Sequence, residues 1–405
     1  VSTLEKPQSS LHVHLISMHT SPLAQPGSGD AGGMNVYIDR SLRALLARYP
    51  QLSVEVFTLV TSPPSRSVEQ ISSRALVHFI YLPQAAGAHK NDLPAFVPDF
   101  ARALAQAARR KPDLIHSHYW LSGMAALEYA PETPLVHTMH TTAAGKNARA
   151  SADEPPEPEI RLAGEQKIID AVTALVVNTE TEAADMVAYY GADPQKIHVI
   201  TPGVDTGIFK PLPSQPPTHR GSSTQARLVF AGRPQPLKGP HLLVEALALL
   251  PRDLSVELVM IGRSGTGYEA SLLERAEELG LSSEVSLVDP LPPRGLAAQL
   301  RRADIVACPS SSETFGLVAL EAQACGTPVL ASKVDGLMNA VEDGATGHLV
   351  APRTAGAWAE AIEALVRNPA ERSRLRAAAR ERTLTMRWAD TATALMELYR
   401  EITKE

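Results

Sequence analysis

Apolar positions along this chain follow two periods, and the two alternate. Leu11-His-Val-His-Leu-Ile-Ser17 is short, mostly apolar and bounded by polar residues, which predicts a buried strand. A Gly- and Pro-rich loop over 18–32 follows, and then apolar residues at helical spacing from about 33 to 49. Strand patterns recur at 53–59, 75–81, 113–118, 134–139, 174–178 and 196–200, separated by helical patterns at 96–110, 121–129, 159–171 and 180–190. Residues 143–157, rich in Pro and charge, read as a long loop, and residues 211–225 carry Pro, Ser and Thr with no period at all. Then the alternation restarts, with strands at 227–231, 255–261, 284–288, 304–308 and 328–331 and helices at 240–250, 268–279, 294–302, 315–324 and 355–366. Helices between 370 and 403 have no strand partner. Strands alternating with helices predict an α/β protein with a parallel, doubly wound sheet, and the restart predicts two. The expected organisation is a disordered lead-in over 1–10, a Rossmann-like domain over 11–203, a linker over 204–226, a second Rossmann-like domain over 227–385, and a last helix, 386–405, returning to the first. Ligands bind such sheets beyond the carboxyl ends of their strands, so a cleft with the two domains facing each other across it is expected.

Composition narrows the partners. A chain of 405 residues suits two cores rather than one, and 44% hydrophobic with 20% charged residues is ordinary for a globular protein. A net charge of −6 gives no general basic surface, so nucleic acid is not an expected partner. No apolar run reaches the ~18 residues of a membrane span, and residues 1–10 are polar, without a signal segment. The two cysteines, Cys308 and Cys325, read as buried thiols, which suits a reducing cytoplasm.

Candidate chemistry gathers at strand ends. Glu313-Thr-Phe-Gly-Leu-Val-Ala-Leu-Glu321 follows a strand and a Ser-rich turn, Pro309-Ser-Ser-Ser312, and runs into a helix. Free backbone N–H groups and the helix dipole at such a start favour phosphate, with Glu313 and Glu321 in reach of a sugar and a ribose. Gly32-Gly33 opens the first helix and lets backbone approach a diphosphate closely. Arg233 and Lys238, just beyond another strand, suit a departing diphosphate. Taken singly, each has an ordinary reading: a flexible loop, two solvated charges in a turn, a capped helix. Neither half carries G-x-G-x-x-G after its first strand, which weakens a dinucleotide dehydrogenase, and no Walker motif is present.

Together, Gly232-Arg-x-x-x-x-Lys238, Glu313-x7-Glu321 and Gly32-Gly33 resemble the retaining glycosyltransferases of the two-Rossmann GT-B type. Ser17-Met-His-Thr-Ser-Pro22, Gly29-Asp-Ala-Gly-Gly-Met-Asn-Val-Tyr37, His116-Ser-His-Tyr-Trp-Leu-Ser-Gly123 and Phe315-Gly-Leu-Val-Ala-Leu-Glu-Ala-Gln323 are similar to the D-inositol-3-phosphate glycosyltransferase family, which opens mycothiol synthesis. That resemblance spans about residues 14–399. It implies transfer of N-acetylglucosamine from UDP-N-acetylglucosamine to 1D-myo-inositol 3-phosphate, with retention, in a cytoplasmic homodimer. It implies donor contacts from Gln25, Pro26, Gly33, Arg233, Lys238, Leu291, Glu313, Phe315, Gly316, Leu317 and Glu321, and acceptor contacts from His19, Asp30, Ala31, Gly32, Gly33, Met34, Asn35, Lys90, Tyr119, Thr141 and Arg161. His140, Arg233, Lys238 and Glu313 would carry the catalysis, with no cofactor for the chemistry. A structural magnesium ion would sit at Leu300, Arg301, Ala303 and Thr327.

The chain departs from the family pattern at four places. Leu291 stands where relatives carry Arg, Pro234 follows Arg233, the loop Gly262-Arg-Ser-Gly-Thr-Gly267 is short, and Asp335-Gly-Leu337 replaces Gly-Gly-Leu. No carboxylate pair at glycosidase spacing and no nucleophile with an adjacent base can be assigned, so a front-face path is expected by resemblance. The rival readings are a related retaining transferase with a hexose phosphate or phosphatidylinositol acceptor, and a nucleotide-sugar sensor without turnover. The absence of a basic amphipathic patch counts against the lipid acceptor.

Overall fold

The computed structural model describes residues 10–27, 30–149, 156–211 and 225–404. The lead-in over 1–9, most of the linker, and Ser28 and Gly29 of the first Gly-rich loop lie outside the described residues. The chain forms two compact units: residues 1–24, 34–201 and 389–405 make the first, and residues 25–33 and 202–388 the second.

In the first unit β1 (Leu11–Ile16) leads to α1 (Gly33–Arg48), β2 (Leu52–Val60), β3 (Val68–Ser72), β4 (Ala75–Tyr81), α2 (Val97–Ala107), β5 (Leu114–His118) and α3 (Trp120–Tyr129). β6 (Leu135–Thr138), α4 (Ala143–Arg149), α5 (Glu159–Ala171), β7 (Ala174–Val177), α6 (Glu180–Tyr190) and β8 (Ile197–Val199) follow. The sheet order is β3-β4-β2-β1-β5-β6-β7-β8, and every pair except β3 with β4 is parallel. β1 is central and all six of its residues are buried, as a parallel strand covered on both faces requires. Phe57, Phe100, Leu104, Ile115 and Ile168, each fully buried, fill one layer between sheet and helices.

The second unit runs β9 (Gln225–Ala231), α7 (Pro240–Leu249), β10 (Ser255–Ile261), α8 (Tyr268–Glu278), β11 (Val285–Val288), α9 (Pro293–Arg302), β12 (Ile305–Cys308) and α10 (Leu317–Ala324). It continues with β13 (Val329–Ser332), α11 (Leu337–Ala340), β14 (Gly347–Val350), α12 (Ala355–Val366) and α13 (Pro369–Thr383). Its six strands are all parallel, in the order β11-β10-β9-β12-β13-β14. The final helix, α14 (Trp388–Thr403), has residues 389 onward in the first unit, where Tyr399 Oη meets His116 Nδ1 at 2.6 Å and Thr391 Oγ1 donates to the Thr201 carbonyl at 2.8 Å.

The structure departs from the expected elements at both sheet edges, at α4 and at the start of α10, and adds the short helix α11. β3 and β14 are additional strands at the edges of their sheets; each is short, one paired antiparallel with a bulge, the other opening on glycine. The loop expected over 143–157 begins with helix α4. Three of its first N–H groups are capped from elsewhere: Ala143 by Glu165 at 2.8 Å, Ala144 by Tyr190 Oη at 3.0 Å and Gly145 by Thr142 Oγ1 at 3.2 Å. Tertiary contacts create that helix, and periodicity does not reveal them. α10 starts at Leu317 rather than Phe315, because Gly316 takes φ +89°; a Cβ there would lie 2.7 Å from Leu337.

Candidate active site

Each sheet reverses its strand order once: between β1 and β5 in the first unit, and between β9 and β12 in the second. Chains leaving the carboxyl ends of two such strands go to opposite faces and open a crevice, the usual ligand site of doubly wound sheets. His19, Tyr119, Arg233 and Glu313 follow these four strands, while Lys90 follows β4, His140 and Thr141 follow β6, Arg161 lies in α5 and Leu291 follows β11.

In the first unit His19 follows β1 and Tyr119 follows β5, and their ring centroids are 4.4 Å apart. Tyr119 adopts φ +71°, a conformation side chains rarely take and one that concentrates at functional sites. Two cations lie over its ring: Lys90 Nζ at 4.8 Å and the Arg161 guanidinium at 4.9 Å from the centroid. Arg161 is buried in a frame of acceptors. Its Nε donates to Glu165 at 2.7 Å and Nη1 to Glu157 at 2.8 Å. Its Nη2 donates to the Thr141 carbonyl at 2.8 Å and hydroxyl at 3.1 Å. Burial works against the Arg161 charge, but Tyr119, Glu165 and Glu157 outweigh it and hold its pKa above the usual value. Lys146, which pairs with Glu157 at 2.7 Å, adds a third cation. Lys90, Tyr119, Thr141, Arg161 and His19 thus converge, as a phosphate with its charge and several acceptor oxygens requires.

His140 follows β6 at φ +61°. Its Nε2 shares a hydrogen bond with His118 Nδ1 at 3.0 Å, and Tyr37 meets its ring edge-on at 5.3 Å. Burial drives its pKa down to about 3, so the ring is neutral at ordinary pH and offers a hydrogen bond rather than a charge. Asn35 is buried and donates to Thr20 Oγ1 at 2.9 Å and the Ser21 carbonyl at 2.6 Å, which ties α1 to the loop carrying His19.

In the second unit Arg233 follows β9, and Lys238 ends the turn before α7. Lys238 Nζ pairs with Glu313 Oε2 at 2.6 Å, and Ser310 Oγ donates to the same oxygen at 3.4 Å. Arg233 lies 3.7 Å from Asp30. Burial lowers its pKa, and Asp30 and Glu313 act in the opposite direction. Residues 25–33 cluster with this unit, so Asp30, Gly32 and Gly33 meet its strand-end residues: a Cβ on Gly32 would lie 3.7 Å from Arg233, and one on Gly33 3.8 Å from Leu317. Gln25 donates to the Leu291 carbonyl at 2.9 Å, so that backbone oxygen already holds a partner. Phe315 is buried, while Glu321 is part-buried in α10. Gly336 packs where a Cβ would lie 2.1 Å from the Thr314 carbonyl, and its N–H donates to the Glu313 carbonyl at 2.9 Å. The turn at 335–337 therefore sets the Glu313 backbone, and Asp335, at φ +33°, accepts from Ser312 Oγ at 2.8 Å.

The residues offered for magnesium make a poor shell. Thr327 Oγ1 donates to the Leu300 carbonyl at 2.7 Å, Arg376 donates to the Ala303 carbonyl at 3.4 Å, and Arg301 donates to the Ile208 and Lys210 carbonyls, each at 3.3 Å. Of this set the Leu300 and Ala303 carbonyls face hydrogen-bond donors, two guanidinium groups lie among the neighbours, and none of the four residues supplies a carboxylate, whereas magnesium takes octahedral oxygen with carboxylates or phosphates.

Sequence reasoning passed over Glu157, Glu165, Lys146, Ser310 and His118. The first two were in view: Glu157, Arg161 and Glu165 stand four apart, the spacing of neighbours on one helical face. Ser310 and His118 show their role only once the strands are paired.

Comparison with known proteins extends the geometry. The family described as glycosyl transferases group 1 matches residues 215–382, and glycosyltransferase family 4 matches residues 31–207. The chain is 43% identical to the D-inositol 3-phosphate glycosyltransferase of Pseudarthrobacter chlorophenolicus, over 96% of this chain and 94% of that one. It is 43% identical to the enzyme of the same name from Mycobacterium tuberculosis, over 99% and 84%. Among solved structures, sucrose-phosphate synthase from Thermosynechococcus elongatus superimposes with a TM-score of 0.89 at 29% identity, covering 97% of this chain and 99% of that one. HepE of Anabaena, solved with UDP and glucose, gives 0.73 at 19% identity over 96% and 100%, a likeness of fold. With two Rossmann-like units, polar residues beyond the strands at each switch point and this similarity along nearly its whole length, the chain is a GT-B glycosyltransferase and belongs to the D-inositol 3-phosphate glycosyltransferase family.

Proposed function

We propose that the enzyme moves N-acetylglucosamine from UDP-N-acetylglucosamine to a hydroxyl of 1D-myo-inositol 3-phosphate, with retention at the anomeric carbon. The observation that carries the acceptor is the cluster of Lys90, Arg161, His19 and Thr141 around Tyr119. It suits a phosphorylated polyol, and the relatives, D-inositol 3-phosphate glycosyltransferases by name, support inositol 3-phosphate. On this reading the bond from the anomeric carbon to the UDP oxygen breaks, the bond to the inositol oxygen forms on the same face, and the hydroxyl proton passes to the departing phosphate oxygen. Arg233 and Lys238 stabilise the charge that grows on the diphosphate, while Glu313 holds Lys238 in place and faces the sugar. Neutral His140 donates or accepts a hydrogen bond beside the sugar, and no step passes through a metal. The reaction opens mycothiol synthesis, in the cytoplasm and in a homodimer.

The test is UDP release from UDP-N-acetylglucosamine with inositol phosphate as acceptor, with UDP-glucose and unphosphorylated inositol as the contrasting substrates. An α-linked product by proton NMR is expected, since the donor is α-linked. Equal use of unphosphorylated inositol would remove the acceptor assignment, and a β-linked product the retaining one. The similarity to sucrose-phosphate synthase favours one second reading, a hexose phosphate acceptor, and the same assay with hexose phosphates decides it.

A further inference from the structure

The amino-terminal end of the first sheet buries a group of titratable side chains that the transfer reaction does not use. His12 and His14 lie on one face of β1, Glu55 faces them from β2, and His78 joins from β4; all four are buried. Among the described residues, His12, His14 and Glu55 are the group whose ligand atoms, one from each side chain, lie within 4.8 Å of one another. His12 Nε2 is 3.1 Å and His14 Nε2 3.9 Å from Glu55 Oε1. Four-coordinate zinc with bonds of about 2.0–2.2 Å places its ligand atoms roughly 3.3–3.6 Å apart, so both separations lie within a few tenths of an ångström of that shell.

The outer atoms are held in the way metal ligands are held. His12 Nδ1 hydrogen-bonds Ser53 Oγ at 2.8 Å and His14 Nδ1 the Tyr129 hydroxyl at 3.2 Å, which turns both Nε2 atoms inward. The second Glu55 oxygen meets His78 Nε2 at 2.7 Å and accepts the Arg109 N–H at 3.1 Å, which leaves Oε1 facing the imidazoles. His14 Nε2 is buried and makes no hydrogen bond to Glu55, although the Arg110 backbone interacts with the ring. A buried ring nitrogen aimed at a carboxylate without a bond to it is an unmet polar group, and an ion between the two would meet it. Protonation states agree. Burial lowers the pKa of both imidazoles, that of His14 to about 4, so they are neutral ligands. Burial opposes the Glu55 charge, but the Arg109 N–H and the hydrogen bond with His78 act the other way and its pKa falls. Asp113, which accepts the His12 backbone N–H at 2.7 Å, adds a second negative charge, against which stands the Arg110 cation beside His12.

We propose that His12 Nε2, His14 Nε2 and Glu55 Oε1 bind one zinc ion that cross-links β1 and β2, with Ser53, Tyr129 and His78 orienting the ligands. Two imidazoles and a carboxylate favour zinc over the hard, oxygen-preferring cations. The site lies at the end of β1 away from His19 and Tyr119 and takes no part in sugar transfer.

The test uses the full chain, stripped with a chelator, gel-filtered and titrated with zinc against a chromophoric competitor. One tightly bound equivalent is expected, together with a cobalt(II) derivative that has the intense visible bands of four-coordination. At a hundredfold excess over Kd, zinc raises the melting temperature by about 5 °C or more. Glu55→Gln and His14→Gln each lose at least tenfold in zinc affinity, whereas His348→Gln, which alters a part-buried histidine beside Asp343 and Glu371, keeps the equivalent. Should either ligand variant fail to fold by circular dichroism, Ser53→Ala keeps all three ligands and weakens zinc by about tenfold. No bound equivalent in the wild type overturns the proposal, as does an equivalent that survives in folded His14→Gln and disappears in His348→Gln.

Discussion

Removing Arg161 perturbs two things at once, and the structure separates them. Its guanidinium is 3% exposed and sits between two carboxylates, Glu165 at 2.7 Å and Glu157 at 2.8 Å. Glu165 is fully buried, and Glu157 keeps Lys146 as a second partner at 2.7 Å. Arg161→Ala therefore leaves Glu165 as a buried, uncompensated charge, and breaking such a pair costs about 3–5 kcal/mol. Against a typical total of roughly 5–15 kcal/mol, that is a large fraction of the stability. Acceptor binding should fall as well, by about 2–5 kcal/mol if the phosphate is desolvated against the guanidinium. The double variant Arg161→Ala with Glu165→Gln tells the two losses apart. A neutral amide still accepts from the Ala143 N–H and from Tyr190 through its oxygen, as one Glu165 oxygen does now, so the buried charge disappears while the α4 cap remains. Urea midpoints should return most of the way to wild type in the double variant, and calorimetric titration with inositol phosphate should stay weak. UDP binding should match wild type in all folded variants. Equal midpoints for wild type and Arg161→Ala would refute the charge argument, and full acceptor affinity in the double variant would refute the phosphate contact.

Three further outcomes follow from the same geometry. Arg233→Ala and Lys238→Ala should each lower kcat by about 10²–10³ with a smaller change in donor KM, because diphosphate charge develops only as the sugar leaves; steady-state kinetics showing a change in donor KM alone would contradict that role. Gly336→Ala should displace the Glu313 loop, since its Cβ would lie 2.1 Å from the Thr314 carbonyl, and kcat should fall while unfolding of the first unit is unchanged. His116 and His137 are buried, and burial lowers the pKa of each to about 3. The unfolded chain takes up these two protons below about pH 6.5 and the native one does not, so their contribution is complete above that pH and falls away towards pH 3. At pH 5 the pair should have cost about 4 kcal/mol relative to pH 8, read as a lower urea midpoint, with a smaller drop in His137→Gln; a midpoint independent of pH would contradict the burial effect.

Most of the fold was legible because parallel, doubly buried strands make short apolar runs that loops separate cleanly. β1, β5, β10 and β12 were visible in this way, and so were the helices between them. What escaped depends on neighbours in space. Val68-Glu-Gln-Ile-Ser72 has two apolar residues in five and becomes β3 only by pairing with β4. Ala-Ala-Gly-Lys-Asn-Ala-Arg has no strong helical signature and becomes α4 because Glu165 and Tyr190 cap its first turn. The Gly-rich loop reads as part of the first domain by position, yet residues 25–33 cluster with the second unit, where Asp30 meets Arg233.

The site was legible by type and not by partner. Cations, hydroxyls and an aromatic at strand ends pointed to the phosphate pocket proposed above, but the sequence could not say which charge was already spent. Arg161 gives three of its nitrogens to Glu165, Glu157 and Thr141, so most of its hydrogen-bonding capacity is committed before any ligand arrives. A guanidinium held in this way acts on an anion mainly through its field and its fixed position over Tyr119. Lys238 follows the same logic in the second unit, where Glu313 fixes its ammonium at 2.6 Å. On the proposed function both cations are placed before binding, which would lower the ordering cost when a phosphate enters and leave more of the interaction for the transition state. A charge-reversing change at the holder should then cost more than a change at a solvated lysine. Glu165→Lys, which sets two cations together in a buried frame, should abolish folding of the first unit, whereas Lys167→Glu, on the same helix, should be nearly neutral.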